Sequence, residues 1–108
     1  DFVYVEDVAR CNIQALKSEV THGFYNVGTE VQTSIKELCD TILELKNSNL
    51  KVVYKPYSAD DARALVQNRI GSKKRAEEEL GFNYKYSLVE GLQQLIDWRI
   101  ETGLDKGI

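Results

Sequence analysis

The chain has 108 residues, enough for one small domain with a modest core. Hydrophobic residues at 43% and charged residues at 29% are ordinary for a soluble globular protein. A net charge of −3 speaks against a nucleic-acid or membrane-surface binder, which would favour a basic stripe, and no apolar run approaches the roughly 18 residues of a membrane span.

Phe2–Val5 is a strand-prone run, and Glu6-Asp7 then opens a helix expected over residues 7–17, with Asp7 as its N-cap. Val8, Cys11, Asn12, Ala15 and Leu16 share one face of that helix. Asn12 therefore falls inside an apolar stripe, either hydrogen-bonded to neighbouring backbone or placed for a partner. Thr21-His22-Gly23 turns the chain into Phe24–Val27, a second β-prone run, which Gly28 breaks. His22 is the only histidine and has no second metal-ligating residue near it in sequence, so it reads as a solvated loop residue.

The next stretch is the most regular. Apolar residues recur at Ile35, Leu38, Cys39, Ile42 and Leu43, the spacing of one buried helix stripe over residues 34–46. Ser34 with Glu37 three residues later is a capping box. Strand, glycine turn and helix together make half of a crossover unit of the kind that builds parallel sheets. Cys11 and Cys39 both fall on or near apolar helix faces, which suits reduced core residues of a cytoplasmic protein better than a disulfide framework.

Lys51–Tyr54 is a third strand candidate, ended by Pro56, the only proline. Residues 57–70 are the least regular part, mixing Asp60, Asp61, Arg63, Gln67, Asn68 and Arg69 with the short apolar run Ala64-Leu65-Val66. A polar segment pinned between ordered elements is where a ligand site is sought. A solvated surface crossing with its charges paired among themselves accounts for the same composition. Ser72 then caps a helix to Leu80, and Gly81-Phe82 has the pattern of a left-handed stop with its hydrophobic contact. Glu77, Glu78 and Glu79 read as a solvated face.

Ser87 with Glu90 is a second capping box, opening a helix over 88–100 with Leu88, Leu92, Leu95 and Ile96 on one stripe and Trp98 off it. The tail from Glu101 to Ile108 carries two glycines and is expected to fray. The chain has no methionine, and its first residue stands directly before a strand candidate. Both lead to the expectation that it is a piece of a longer protein, with removal of a start methionine and tag as the alternative.

No phosphate-binding G-x-x-x-x-G-K-[ST] or G-x-G-x-x-G occurs, nor a nucleophile elbow, a catalytic Cys/His spacing or a metal cluster. On its own residues the chain can help to bind something. It lacks the groups for acid–base or hydride chemistry alone.

Three motifs in this order carry a family resemblance. DFVYVEDVA at Asp1–Ala9 resembles the segment that follows the catalytic region in extended short-chain dehydrogenases. FYNVGT at Phe24–Thr29, with the S-x-x-E helix behind it, resembles the last parallel strand and helix of their nucleotide-binding domain. Asp61 to Phe82 and on to Trp98 resembles their closing pattern, an aspartate, a short strand, a helix ending Leu-Gly-aromatic and a Ser-Leu-x-Glu-Gly-Leu helix. The chain is thus similar to the C-terminal third of an NAD-dependent nucleotide-sugar epimerase or dehydratase, nearest in pattern to the 4-epimerases.

The resemblance implies an α/β fold, the C-terminal fragment of a Rossmann-type enzyme. It would hold the last parallel strand and helix plus a small substrate-binding α/β subdomain across residues 1–108, without the N-terminal NAD-binding region. It implies a nucleoside-diphosphate sugar as partner, NAD as cofactor of the parent enzyme with none expected on this piece, and no activity for the piece alone. The parent would be a homodimer, and the piece would self-associate through uncovered strands. By the same resemblance Asp61 stands for the family's aspartate, with Ser58 where an arginine is usual. Arg63 is the leading candidate for the phosphate contact and Arg69 the reserve, giving a substrate-binding set of Arg63, Asp61 and Arg69. The alternative is a stand-alone small α/β binding or interaction module with no enzymatic activity.

Overall fold

The computed structural model describes residues 1–64 and 66–104, without the side chains of Arg63 and Ala64. The elements follow in chain order as α1 (Val5–Lys17), α2 (Ile35–Leu45), α3 (Ala59–Ala64), α4 (Lys74–Leu80) and α5 (Leu88–Glu101). Both capping boxes form. Ser34 Oγ accepts from the Glu37 N–H at 3.1 Å while the Glu37 carboxylate accepts from the Ser34 N–H at 2.6 Å, and Ser87 and Glu90 repeat the exchange at the head of α5. These reciprocal bonds satisfy end N–H groups that a helix cannot satisfy itself. The stop of α4 also forms. Gly81 takes φ 69°, a left-handed turn that costs glycine little, and the Phe82 N–H reaches back to the Ala76 carbonyl at 3.1 Å.

Helix α1 packs on α4 and α2 packs on α5. The first pair holds the core: Cys11, Ala76, Leu80 and Phe82 are buried, with Ala15, Tyr25, Val27 and Tyr84 packed against them. Burial of a side chain such as Phe82 stabilises by roughly 1.5–3 kcal/mol. The second pair is open, and no residue of α2 is fully buried. Among the described residues no helix is long and apolar enough to cross a membrane.

Several expectations need correction. The strands expected at Phe2–Val5, Phe24–Val27 and Lys51–Tyr54 are not present as strands, and the described residues are helical or irregular throughout. A strand exists by pairing along a ladder, and these three runs do not pair with one another. The α/β description therefore stands only as a likeness to part of a larger fold, while the described residues themselves are helices and connections. The irregular crossing also contains the unforeseen α3, whose start is marked by Ser58 Oγ accepting from the Asp61 N–H at 3.1 Å.

Helix α1 starts at Val5, with Tyr4 as an N-cap that makes no side-chain bond, so Asp7 is not the cap. Its carboxylate is fully buried and engaged elsewhere. Oδ1 accepts from both terminal nitrogens of Arg10 at 2.7 Å and from the Lys85 N–H at 3.0 Å; Oδ2 accepts from the Tyr86 N–H at 3.1 Å. The buried face of α1 turns accordingly, so that Asn12 is exposed and Leu16 is 85% exposed. Helix α4 begins at Lys74, two residues after Ser72, whose Oγ still accepts from the Lys74 N–H at 3.3 Å.

Candidate functional site

The loop from Gly28 to Ser34 is tied down at its start by Asp1. The Asp1 carboxylate accepts from the Thr29 N–H at 3.0 and 3.1 Å, from Thr29 Oγ1 at 2.7 Å and from the Glu30 N–H at 2.9 Å. A β-carbon at Gly28 would lie 2.5 Å from that carboxylate, so only glycine lets the chain pass so close. The Asp1 nitrogen in turn donates to the Arg69 carbonyl at 3.1 Å. Asp1 therefore joins the 28–34 loop to the crossing at residues 66–71.

Between loop and crossing lies a cavity of about 760 Å³, with Gln32, Thr33 and Ile35 on one wall and Gln67, Asn68 and Arg69 on the other. A smaller space of about 290 Å³ continues past Asn26, Gly28 and Gly71. The carboxylates on the larger cavity, Asp1 and Glu37, are both held by hydrogen bonds. The Ser34 backbone N–H, then its hydroxyl, keep the Glu37 carboxyl below the ordinary glutamate range. Among the described residues Arg69 is the one cation on that lining, and it makes no ion pair with them. With both carboxylates engaged by N–H and O–H groups, Arg69 is the group among the described residues on this lining suited to meet an anion, beside amides and aliphatic walls.

The three sequence-derived site residues fare differently. Arg69 lines both spaces. Asp61 sits in the first turn of α3 and accepts from Ser58 Oγ at 2.5 Å. The side chain of Arg63 lies outside the described residues. Gln32 and Thr33 join the cavity lining unforeseen. Nothing local in the sequence marked the 28–34 loop as a wall, because its position depends on Asp1 and the distant crossing.

The remaining polar groups have structural partners. His22 is exposed and meets Phe24 edge-on, ring centroids 5.6 Å apart. Each glutamate of the acidic run pairs with the cation four residues before it, Lys73 with Glu77, Lys74 with Glu78 and Arg75 with Glu79. Both cysteines are free, and burial pushes the Cys11 thiol up from its ordinary value. Among the described residues no group of three or more His, Cys, Asp or Glu could hold a metal ion.

Comparison with known proteins gives one consistent answer. A Methanocaldococcus jannaschii protein assigned as a UDP-glucose 4-epimerase is 34% identical over 100 residues, covering 91% of this chain and 30% of its own. The UDP-N-acetyl-alpha-D-glucosaminuronate decarboxylase of Bacillus cytotoxicus is 28% identical, covering 90% of this chain and 31% of its own. The crystal structure of the Bordetella bronchiseptica enzyme WbmF in complex with NAD+ and UDP superposes with a TM-score of 0.77 at 30% identity, covering 97% of this chain. The likeness is to the C-terminal part of extended short-chain dehydrogenases that act on nucleotide sugars. No family model matches the chain. It spans about 30% of the length of the relatives it matches.

WbmF holds NAD+ in its crystal structure, and the N-termini of α2 and α5 in this chain do not fit such a dinucleotide. A dinucleotide pyrophosphate sits on free N–H groups at a helix N-terminus behind a glycine-rich turn. The N-termini of α2 and α5 are instead closed by Ser34 with Glu37 and Ser87 with Glu90, each placing a carboxylate where the phosphate would lie.

Proposed function

We propose that the chain is the substrate-closing, C-terminal part of an NAD-dependent nucleotide-sugar epimerase, a 4-epimerase in its pattern, and that a nucleoside-diphosphate sugar lies in the cavity at Arg69. The observation that carries this reading is the Arg69 guanidinium on the cavity lining, with no ion pair to any of the described residues. Chain length supports it, since the relatives are more than three times as long. The two ends of such a substrate do different work. Contacts to the diphosphate and nucleoside supply binding energy far from the sugar carbon that reacts, and hold that carbon in place. Arginine suits the diphosphate because its planar fork donates in pairs.

Arg69 and Arg63, six residues apart on one crossing, are the proposed cationic donors. Asp61 enters as the residue that starts α3 through Ser58. The chain alone carries out no turnover and does not hold NAD tightly; micromolar NAD affinity by calorimetry would contradict this. Its exposed apolar residues favour self-association of the isolated chain, read by light scattering.

The deciding experiment is steady-state kinetics of Arg69→Ala and Arg63→Ala in the full-length enzyme. Loss of one charge-assisted phosphate contact, worth roughly 1.5–3 kcal/mol, raises KM about 10- to 100-fold with kcat little changed. The variant that shows this identifies the donor. If neither moves KM, the crossing is not the phosphate site.

A further inference from the structure

Glu30 is one of two non-glycine residues among those described with a left-handed backbone, φ 61°. A side chain with a β-carbon resists that region, so the conformation persists only where contacts over-determine it. Here they act from two sides. The Glu30 N–H donates to the Asp1 carboxylate at 2.9 Å. The Glu30 carboxylate accepts from the Lys73 N–H at 2.7 Å, across a separation of 43 residues. Lys73 stands at the far end of the crossing, three residues beyond Ile70, and Gly71 between them lies against Asn26, where a β-carbon would be 3.2 Å from the amide carbon.

We propose that Glu30 is a positioning residue, which clasps the loop at residues 28–34 to the crossing that carries Arg69 and so sets the width of the cavity between them. Asp1 makes the same junction from the other end, through Thr29 and the Arg69 carbonyl. With both in place the crossing is held at residues 69 and 73 and the loop at residues 29 and 30, just before the stretch that lines the cavity. The Glu30 carboxyl is held below the ordinary glutamate range first by the Lys73 N–H and then by Ser72, as expected of a carboxylate whose charged form makes the contact. The inference takes its ligand from the proposed function of the cavity.

Amide hydrogen exchange and UDP titration on the chain, beside Glu30→Gln and Glu30→Gly, test it. In Glu30→Gly, which relieves the backbone strain and so keeps the fold, exchange at residues 69–73 rises about threefold to tenfold, the loss of one hydrogen bond. Glu30→Gln keeps an acceptor oxygen and rises less. Rates in α1 and α5 stay as they were, and UDP affinity falls by a factor like that in exchange. Unchanged exchange at 69–73 overturns the proposal. So does acceleration confined to residues 75–80, which would make Glu30 only a helix cap, or faster exchange with unaltered UDP affinity. If the unsubstituted chain binds no UDP, the cavity's proposed function falls, while the exchange pattern still decides whether Glu30 holds the crossing.

Discussion

Two helix pairs of one chain end in different states. Between α1 and α4, Cys11, Ala76, Leu80 and Phe82 are buried. Between α2 and α5, the equally regular stripes leave Leu95 at 45% and Ile35 at 67% exposed, and an apolar groove of about 540 Å³ opens among Ile42, Leu43, Leu92 and Ile96. The chain as a whole is open as well. Its accessible surface is 8728 Å², against about 6,100 Å² for a compact monomer of 12.3 kDa. Its radius of gyration is 17.0 Å, against about 13 Å for a compact domain of this length. A periodic stripe thus states which face of a helix favours burial, and it leaves open what does the burying.

The sharpest way to break the comparison is to remove one large side chain from each half. Phe82→Ala is expected to cost about 3–5 kcal/mol of stability by urea unfolding, because the side chain is fully buried. Leu95→Ala should cost less than about 1 kcal/mol, since much of that leucine already meets water. Equal costs would mean that the α2–α5 half is as well packed as the other.

Charge gives the next contrast. Asp7→Ala leaves two backbone N–H groups and Arg10 without their acceptor in a buried place, and is expected to cost about 2–3 kcal/mol. Asp40→Ala removes the exposed Lys36–Asp40 pair and should cost at most about 0.5 kcal/mol. Thermal unfolding of both variants compares them directly.

A smaller change in stability should accompany a clear change in association. Leu92→Lys puts a charge into the apolar groove, so light scattering should report less self-association than in the unsubstituted chain, with the unfolding midpoint within about 1 kcal/mol. Unaltered scattering would show that association uses another face.

The smallest effect concerns pH. Hydrogen bonds from Ser34 and from Ser87, backbone first, hold the Glu37 and Glu90 carboxyls below the ordinary glutamate range. A lowered folded-state value stabilises fully above the unfolded value and loses that stabilisation as pH falls through the folded one. The melting temperature should therefore fall gently on acidification below the ordinary glutamate range. Glu37→Gln and Glu90→Gln should each flatten that fall.

Most local rules were legible in the sequence, the expected Asp7 cap excepted, and non-local ones were not. The boxes at Ser34/Glu37 and Ser87/Glu90 and the Gly81-Phe82 stop lie within a few residues of one another, so spacing alone located them. Ser58 with Asp61 has the same S-x-x-acid spacing and could have announced α3. The three strand-prone runs were misjudged because pairing needs a neighbour that composition does not name. At the site, Arg69 was legible as a cation in a polar crossing. Glu30 was not, since a left-handed turn ordinarily announces itself by glycine, and Asp1 and Lys73, which hold it there, are 29 and 43 residues away.

The Asp7 carboxylate has a consequence for how the chain is made. Its acceptors are filled by backbone N–H groups 78 and 79 residues further on, and Phe82 fills the core beside α1. Closing so long a loop must precede any reward from the contact. Until residue 86 has left the ribosome, Arg10 is the partner that α1 itself offers the Asp7 carboxylate, and the contacts from Phe82, Lys85 and Tyr86 cannot form. Helix α1 therefore settles later than its place ahead of those residues would suggest, and stays open to chaperones and proteases until they emerge.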